Sequence, residues 1–338
     1  MPNASRAAFN RKLGAVDALR SQPVSRATTD ALRQALADRN SYLVARGATV
    51  CAELRQDVLI PDLLAAFDRF FQDPVKSDPQ CLAKNAIARA LRDLGHHGAE
   101  AYERGIVHVQ LEPTWGGRAD TAATLRGTCA LALSECPIDD FEILTYLTDA
   151  LADSDQSVRV DAALAIEQLN RPEGALLLRL KLLVGDPAPQ VMGQCFSSML
   201  NLAPETAVSF ISRFLNSPSE DVQIEAASAL ALCRDPDAVR ILRGYWENPL
   251  LSKDLRQALL INLGASPVPE SADFLLEVVA LEPVALAVTA LKALANSRFR
   301  GDIRPRLAKA IQARDSDELN ALFAESFAVT PAASRGVG

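Results

Sequence analysis

The residue types best suited to chemistry are concentrated in one stretch of the chain. All three histidines, His96, His97 and His108, lie between Gly95 and Gly117, and one of the two tryptophans, Trp115, lies near the end of that segment. Adjacent residues on a helix point in different directions, so His96 and His97 are poorly placed to bind one ion. No H-E-x-x-H or H-x-x-x-H spacing occurs. The segment therefore predicts neither a metal site nor a cofactor, and the histidines suit helix ends.

The six cysteines do not supply a reactive site either. They lie mostly among Ala and Leu in helical runs and form no C-x-x-C pair: Cys51, Cys81, Cys129, Cys136, Cys195 and Cys233. A zinc site needs short paired spacings, and a nucleophilic cysteine needs a base placed beside it by a recognisable motif. We expect buried thiols in a reducing compartment and no catalytic residue.

Composition favours an aliphatic helical protein. The chain has 338 residues, 49% of them hydrophobic but only 5% aromatic, with 16 glycines and a formal net charge of -7. Because clustered Lys and Arg must neutralise phosphates, this charge argues against nucleic-acid binding. The first twenty residues contain no apolar core of a secretory signal, and no apolar run approaches the ~20 residues of a membrane helix. We expect a soluble, cytoplasmic protein with no membrane contact.

The chain repeats itself with a period of about 32 residues. Compare "DSDQSVRVDAALAIEQL" with "DPAPQVMGQCFSSMLNL" and "SPSEDVQIEAASALALC", which begin at residues 153, 186 and 217. An apolar anchor recurs at intervals of 33, 31, 33, 31 and 33 residues: Val158, Val191, Val222, Leu255, Leu286 and Leu319. A second apolar residue follows eight positions later, on the same helical face: Ile166, Met199, Leu230, Leu263, Leu294 and Phe327.

A second set of helices lies between these. Most begin with Pro followed by Glu or Asp, as in "PETAVSFISRFL" and "PESADFLLEVV", which places an acid at the positive end of the helix dipole. Each repeat is therefore predicted to be a helix hairpin. No pair of this size buries its apolar face alone, so neighbouring pairs must stack.

The segment "DQSVRVDAALAIEQL" (Asp155–Leu169) resembles the second helix of a HEAT repeat, and the short period is similar to the bacterial repeats of phycobilisome lyase proteins. The resemblance implies an all-α, right-handed solenoid of about nine helix hairpins over residues 25–327. Residues 1–24 would form a helical or flexible N-terminal segment, and residues 328–338 a disordered tail.

Two intervals exceed this period. The one of 40 residues between Leu43 and Ala83 contains only a helix and the ordinary turn "DPVKSDP", whereas the other contains an insertion. Leu125 lies 33 residues before Val158, but the preceding anchor, Ala83, is 42 residues further back. The excess of nine to eleven residues belongs to an insertion at 95–119, and insertions in solenoids project as loops from one face. "VHVQLEP" alternates like an extended strand, and Pro113 with the Gly-Gly pair turns the chain towards the next helix, which Asp120 is predicted to cap. Trp115 would either contact a partner or fold back to fill a gap between repeats.

Polar side chains complete the predicted partner-binding surface. The candidates are His97, His108, Trp115, Arg118, Lys84, Arg126, Arg159 and Arg256. The last four occupy equivalent positions on second helices, which line the concave side of a HEAT array; the alternative is that they bond to carbonyls and acids of neighbouring repeats. A basic patch near the C-terminus comprises Arg298, Arg300, Arg304 and Arg306; it is either the polar cap of the array or a docking site for an acidic partner.

We therefore expect a scaffold or adaptor that binds a protein partner through its concave face and the 95–119 insertion, and is itself a monomer or a weak homo-oligomer. Two alternatives remain open. One is an enzyme-associated protein resembling the bilin lyases, with His108, Trp115 and Cys129 along a chromophore groove. The other resembles the HEAT-like alkylpurine DNA glycosylases, which the net charge of -7 disfavours.

Overall fold

A computed structural model describes residues 2–328 of the chain. Its described residues are almost entirely helical and divide into two compact units between Leu177 and Leu178. The predicted tail at 328–338 lies, apart from Ala328, outside the described residues.

The first unit contains ten helices and one small sheet. The helices are α1 (Pro2–Ala18), α2 (Arg26–Leu36), α3 (Ser41–Glu53), α4 (Ile60–Arg69), α5 (Pro74–Ser77), α6 (Leu82–Asp93), α7 (Ala99–Ile106), α8 (Ala123–Leu133), α9 (Asp140–Leu151) and α10 (Gln156–Leu169). The strands are β1 (Leu111–Thr114) and β2 (Gly117–Asp120). Helix α11 (Pro172–Val184) contains the division between the units.

The second unit continues the helical pattern. Its helices are α12 (Pro189–Leu202), α13 (Pro204–Ile211), α14 (Glu220–Leu232), α15 (Pro236–Trp246), α16 (Lys253–Gly264), α17 (Pro269–Leu281), α18 (Val284–Asn296), α19 (Arg300–Arg314) and α20 (Asp317–Ser326). In chain order the described helices from α2 onwards make nine pairs, with the short α5 between the two members of the second pair. The predicted fold class, an all-α array of helix hairpins, is confirmed.

Second helices of successive pairs pack against one another within each unit. In the first unit α3 packs on α6, α6 on α8 and α8 on α10; in the second, α12, α14, α16, α18 and α20 follow one another in the same way. The predicted ladder supplies most of this packing: Val158, Val191, Leu255 and Leu319 are at most 1% exposed, whereas Val222 and Leu286 are half-buried. Every residue eight positions further is also buried: Ile166, Met199, Leu230, Leu263, Leu294 and Phe327. Each such side chain contributes about 1.5–3 kcal/mol by leaving water.

The N-terminal segment and the insertion need a more exact description than the sequence allowed. Helix α1 is ordered and packs on α3, burying Val16. The insertion predicted at 95–119 contains α7, which pairs with α8 as an ordinary first helix. The chain that departs from the repeat is residues 107–122, hereafter the hairpin.

Candidate partner-binding hairpin

The hairpin is a two-stranded antiparallel ribbon with a short turn. Leu111 pairs with Asp120, and Thr114 pairs with Gly117, so Trp115 and Gly116 form the turn. Gly116 has φ of 95°, a conformation that residues with a Cβ rarely adopt. The Gly-Gly pair therefore closes the ribbon as a tight turn and places Trp115 at its end.

Side chains of the hairpin are arranged with the polar ones inward. Gln110 is buried and His108 and Glu112 are half-buried, whereas the alternate residues Val107 and Val109 are exposed. A strand directs successive side chains to opposite faces. The inward face is thus occupied by hydrogen-bonding groups, and the apolar residues are left in water.

Gln110 and Glu112 attach the hairpin to the preceding inter-helix connection, residues 70–81. The Gln110 side-chain amide donates to the carbonyl oxygen of Asp78 at 2.8 Å and to the Glu112 carboxylate at 2.7 Å. Glu112 also accepts from the backbone N–H of Gln80 at 2.6 Å and from the Thr121 hydroxyl at 2.8 Å. These bonds lower the pKa of Glu112 against the opposing effect of burial. The bonds from Gln80 to Glu112 and from Gln110 to Asp78 join the hairpin to this connection, and the other two bonds brace the hairpin internally.

A second set of bonds holds the other end of the ribbon. Arg126 is 4% exposed and its guanidinium contacts Asp120 at 2.6 Å and Asp153 at 2.7 Å, while also donating to the carbonyl of His108. Burial would lower the pKa of Arg126, but the hydrogen bonds that its guanidinium donates to both carboxylates raise it. Asp120 accepts from the N–H groups of Gln110 and Ala122 as well. Asp120 was predicted to cap α8, but it accepts from Ala122, the residue just before that helix. Its main role is therefore to close the hairpin base.

Within residues 2–328, the side chains of the hairpin tip, Pro113–Arg118, form no hydrogen bond or ion pair. Trp115 is fully exposed, at 105% of its reference area, and Arg118 is also exposed. Trp115 therefore does not fill a gap between repeats. Trp246 in the second unit is the opposite case: it is 4% exposed, and its indole N–H donates to Glu282.

The three histidines are not brought together as ligands. His108 is half-buried with its ring 4.8 Å from that of Phe71 and its Nε2 3.3 Å from the Gln110 amide oxygen. Burial lowers the pKa of His108 and of His96, and His97 is exposed. Among residues 2–328, no group of His, Cys, Asp or Glu side chains is arranged to hold a metal ion.

The predicted second-helix cations bond to their own chain. Lys84 is completely buried, with its ammonium 3.0 Å from Asp78. Arg159 is buried and donates to the carbonyls of Asp153 and Ser154; Arg256 donates to those of Trp246 and Asn248. Where the repeat has Gln223 instead, its amide likewise donates to the carbonyl of Ser217. This common position therefore satisfies the turn that precedes the helix.

The C-terminal basic patch is divided between bonded and open side chains. Arg306 forms an ion pair with Asp273, and Arg300 donates to the carbonyl of Ser326. Arg298 and Arg304 are exposed. Their proposed contact with an acidic partner stays a prediction.

The thiols are held in unreactive surroundings. Five of the six are buried, and burial raises the pKa of Cys51, Cys81 and Cys195 to about 12. Cys129 is fully buried beside Gly105, where an added Cβ would collide with its sulfur. Because thiolates are the reactive form, none of these four offers a nucleophile at neutral pH.

Sequence reasoning did not bring together the four residues that build the hairpin base: Asp78, Gln110, Glu112 and Asp153. The strand-like alternation of "VHVQLEP" contained part of the signal, since it distinguishes inward from outward residues. It could not show that the polar set faces inward, because that depends on the buried turn at Asp78 on another connection.

The fold and this site define a helical-repeat protein that carries a projecting β-hairpin. A family model of HEAT repeats matches residues 207–295. No curated protein matches the chain significantly. In the described part of the chain, no helix combines the length and the apolar character needed to cross a membrane.

Several solved structures are similar to the chain. They include the complex of CpcE and CpcF of phycocyanin lyase from Nostoc, at 22% identity and a TM-score of 0.37, covering 71% of this chain and 91% of that one. Human deoxyhypusine hydroxylase in complex with glycerol has 18% identity and a TM-score of 0.29, with coverages of 78% and 98%. Kap121p has 13% identity and a TM-score of 0.47, covering 97% of this chain and 44% of its own. None of these is similar enough to support an inference about activity.

Proposed function

We propose that this protein is a scaffold or adaptor that binds a protein partner through the hairpin tip, with Trp115 as the anchor. The observation that supports this most strongly is a fully exposed tryptophan at the end of a ribbon whose base is fixed by buried bonds. Tryptophan and arginine are the residues most enriched among side chains that dominate binding energy. At 105% exposure, the Trp115 side chain packs on none of the described residues, so its whole surface is available to a partner.

The fixed base favours binding because it reduces the entropy lost on association. Loops that order only when bound give up part of their contact energy to that ordering. Here Asp120, Arg126 and Asp153 hold the base before a partner arrives. Only the side chains of the tip need to be immobilised.

The second-helix cations do not support a contribution of the concave face to partner binding. Lys84, Arg126 and Arg159 are buried and bonded within the chain, so they are not available to a partner or to the phosphates of a nucleic acid. A groove lined jointly by Trp115 and Cys129, as a bilin-binding enzyme would require, lacks support because Cys129 is fully buried. The proposal therefore depends on the tip, with Arg118 beside Trp115.

Quantitative affinity capture from extracts of the source cells tests this proposal. The wild type is compared with a Trp115→Ala, Arg118→Ala variant and with a control, Leu250→Ala, Arg240→Ala, which removes an exposed apolar and a basic residue in the second unit. We expect the tip variant to lose at least one protein that the control retains. Recovery of the same proteins by both variants would contradict the proposal.

A further inference from the structure

A groove of about 630 Å³ lies between helices α3 and α6 of the first unit. Its lining begins in the first turn of each helix, at Tyr42 and Leu82, and ends in the last turn, at Glu53 and Asp93. Each of these stretches rises about 16 Å, which equals the length of about five residues of extended chain. Between these ends the helices contribute alanines, which leave room for an approaching backbone: Ala45, Ala52, Ala86 and Ala90. We call this surface the α3–α6 groove, and its elongated form suits a segment of polypeptide better than a compact molecule.

Part of the charge in the α3–α6 groove is neutralised within the chain. Arg46 of α3 forms an ion pair with Asp17 at 2.6 Å, and Arg20 joins Asp17 to Glu53, the groove acid in the last turn of α3. This network contains two cations and two anions, so it adds no net charge to the groove.

The other two arginines of the groove, Arg55 and Arg89, are not part of this network. Arg89 is exposed, and its guanidinium forms no hydrogen bond or ion pair within residues 2–328. Arg55 donates from Nη1 to the backbone carbonyl of Asp93, one helical turn beyond Arg89, and its Nε and Nη2 have no partner in the described part of the chain. Both arginines therefore belong to the same end of the groove. Of the described lining residues outside the network, Asp93 is the one acid, so the groove keeps an excess of one positive charge.

The backbone of Arg55 is itself unusual. Arg55 has φ of 52° and follows Leu54, the C-cap of α3. Its N–H donates to the carbonyl of Ala52, and the N–H of Gln56 donates to that of Cys51, a helix termination in which glycine or asparagine usually takes this place. A residue with a Cβ is strained in this left-handed conformation, and such strain is concentrated at functional sites. Here the strained residue supplies a cation of the groove.

We propose that the α3–α6 groove binds an extended segment of a protein partner that carries one Asp or Glu, whose carboxylate contacts Arg55 and Arg89. Guanidinium groups donate in the fork geometry that a carboxylate accepts. One carboxylate matches the excess of one positive charge, whereas a phosphate group would exceed it and a basic segment would add to it. No residue of the groove belongs to the hairpin, so this surface goes beyond the proposed tip contact and does not depend on it.

Selection from defined peptide pools tests the proposal. Three pools of capped pentapeptides have Glu, Gln or Lys at the centre and mixtures of Ala, Leu, Ser and Tyr at the other positions; the peptides retained by immobilised protein are quantified by mass spectrometry. We expect the wild type to retain the Glu pool about fivefold more than the Gln or Lys pool, and Arg55→Gly, Arg89→Gln to retain it about five- to tenfold less than the wild type. Asp93→Asn removes the competing carboxylate and should increase retention about two- to threefold.

Matched variants separate the groove from the general charge of the chain. Arg11→Gln, Arg234→Gln removes two exposed arginines outside the groove and should retain the Glu pool like the wild type, as should Trp115→Ala, so this test is independent of the tip. Arg55→Gly, Arg89→Gln should unfold close to the urea concentration of the wild type, because glycine relieves the strain at position 55. Equal retention of the Glu and Gln pools by the wild type, equal losses in both double variants, or equal competition by capped glutamate alone would overturn the proposal.

Discussion

The first unit contains two connections that are longer than its other turns. One folds inward and the other projects outward. Residues 70–81 fold inward: Asp78 is completely buried and accepts from the N–H groups of Ala83 and Lys84 and from the Lys84 ammonium. The hairpin projects outward and exposes its tip. Extra chain length therefore does not by itself create a recognition element. What distinguishes the hairpin is that its polar side chains are used at the base and its largest apolar one is not.

The two connections are also joined, since Gln110 and Glu112 of the hairpin bond to Asp78 and Gln80 of the inward turn. The inward connection thus serves as the platform for the outward one. We therefore expect changes in this part of the chain to differ sharply in their effect on the free energy of unfolding.

Loss of Asp78 is expected to have the largest effect. Asp78→Ala leaves the Lys84 ammonium buried without a counter-ion and two backbone N–H groups without an acceptor. We expect the free energy of unfolding to fall by about 3–5 kcal/mol, measured by urea denaturation. A paired Asp78→Ala, Lys84→Met variant, which also removes the charge, should recover part of this loss; a single variant as stable as the wild type would show that the turn is not the platform.

Loss of Arg126 should have a smaller effect on stability but a specific effect on the hairpin. Arg126→Leu leaves Asp120 and Asp153 without their cation, yet these side chains are 20% and 13% exposed and can be hydrated. We expect a loss of about 2–3 kcal/mol and faster amide hydrogen exchange at residues 107–122. If hydrogen exchange there is unchanged, the salt bridges of Arg126 do not determine the rigidity of the hairpin.

Acidification should weaken the region around His108. Because burial lowers the folded-state pKa of His108, the unfolded chain binds the proton more readily; the stability from its neutral ring is complete above about pH 6.5 and is lost as the pH falls through the folded pKa. We expect His108→Gln to reduce the loss of stability as the pH falls below about 6.5. The remaining loss would belong partly to His96, whose pKa is also lowered.

The tip should contribute least to stability. Trp115→Ala removes no packed contact, so the free energy of unfolding should change by no more than ~0.5 kcal/mol. Trp246→Ala, its buried counterpart, should cost about 3–5 kcal/mol. Thermal unfolding of the two variants side by side checks this contrast. A large destabilisation by Trp115→Ala would mean that the indole packs on the chain.

The regular part of this architecture was predictable because helix packing is encoded locally. The spacing of Val158, Ile166 and their equivalents determines which face of each second helix is buried. The base of the hairpin was not predictable, because Asp78 and Gln110 are 32 residues apart and meet only after two connections have folded. For the same reason, local spacing left open whether Lys84 and Arg126 face a partner or bond within the chain, because it does not specify the direction of the turns that supply their partners.

Site-specific photo-cross-linking tests the central claim most directly. A photoreactive phenylalanine analogue replaces Trp115 in one protein and Leu250, an exposed position in the second unit, in another. In extracts of the source cells we expect a discrete protein adduct from position 115 that is absent from position 250. Excess unlabelled wild type should prevent its formation, and excess Trp115→Ala, Arg118→Ala protein should not. Identical adducts from both positions, or equal competition by both proteins, would contradict the account.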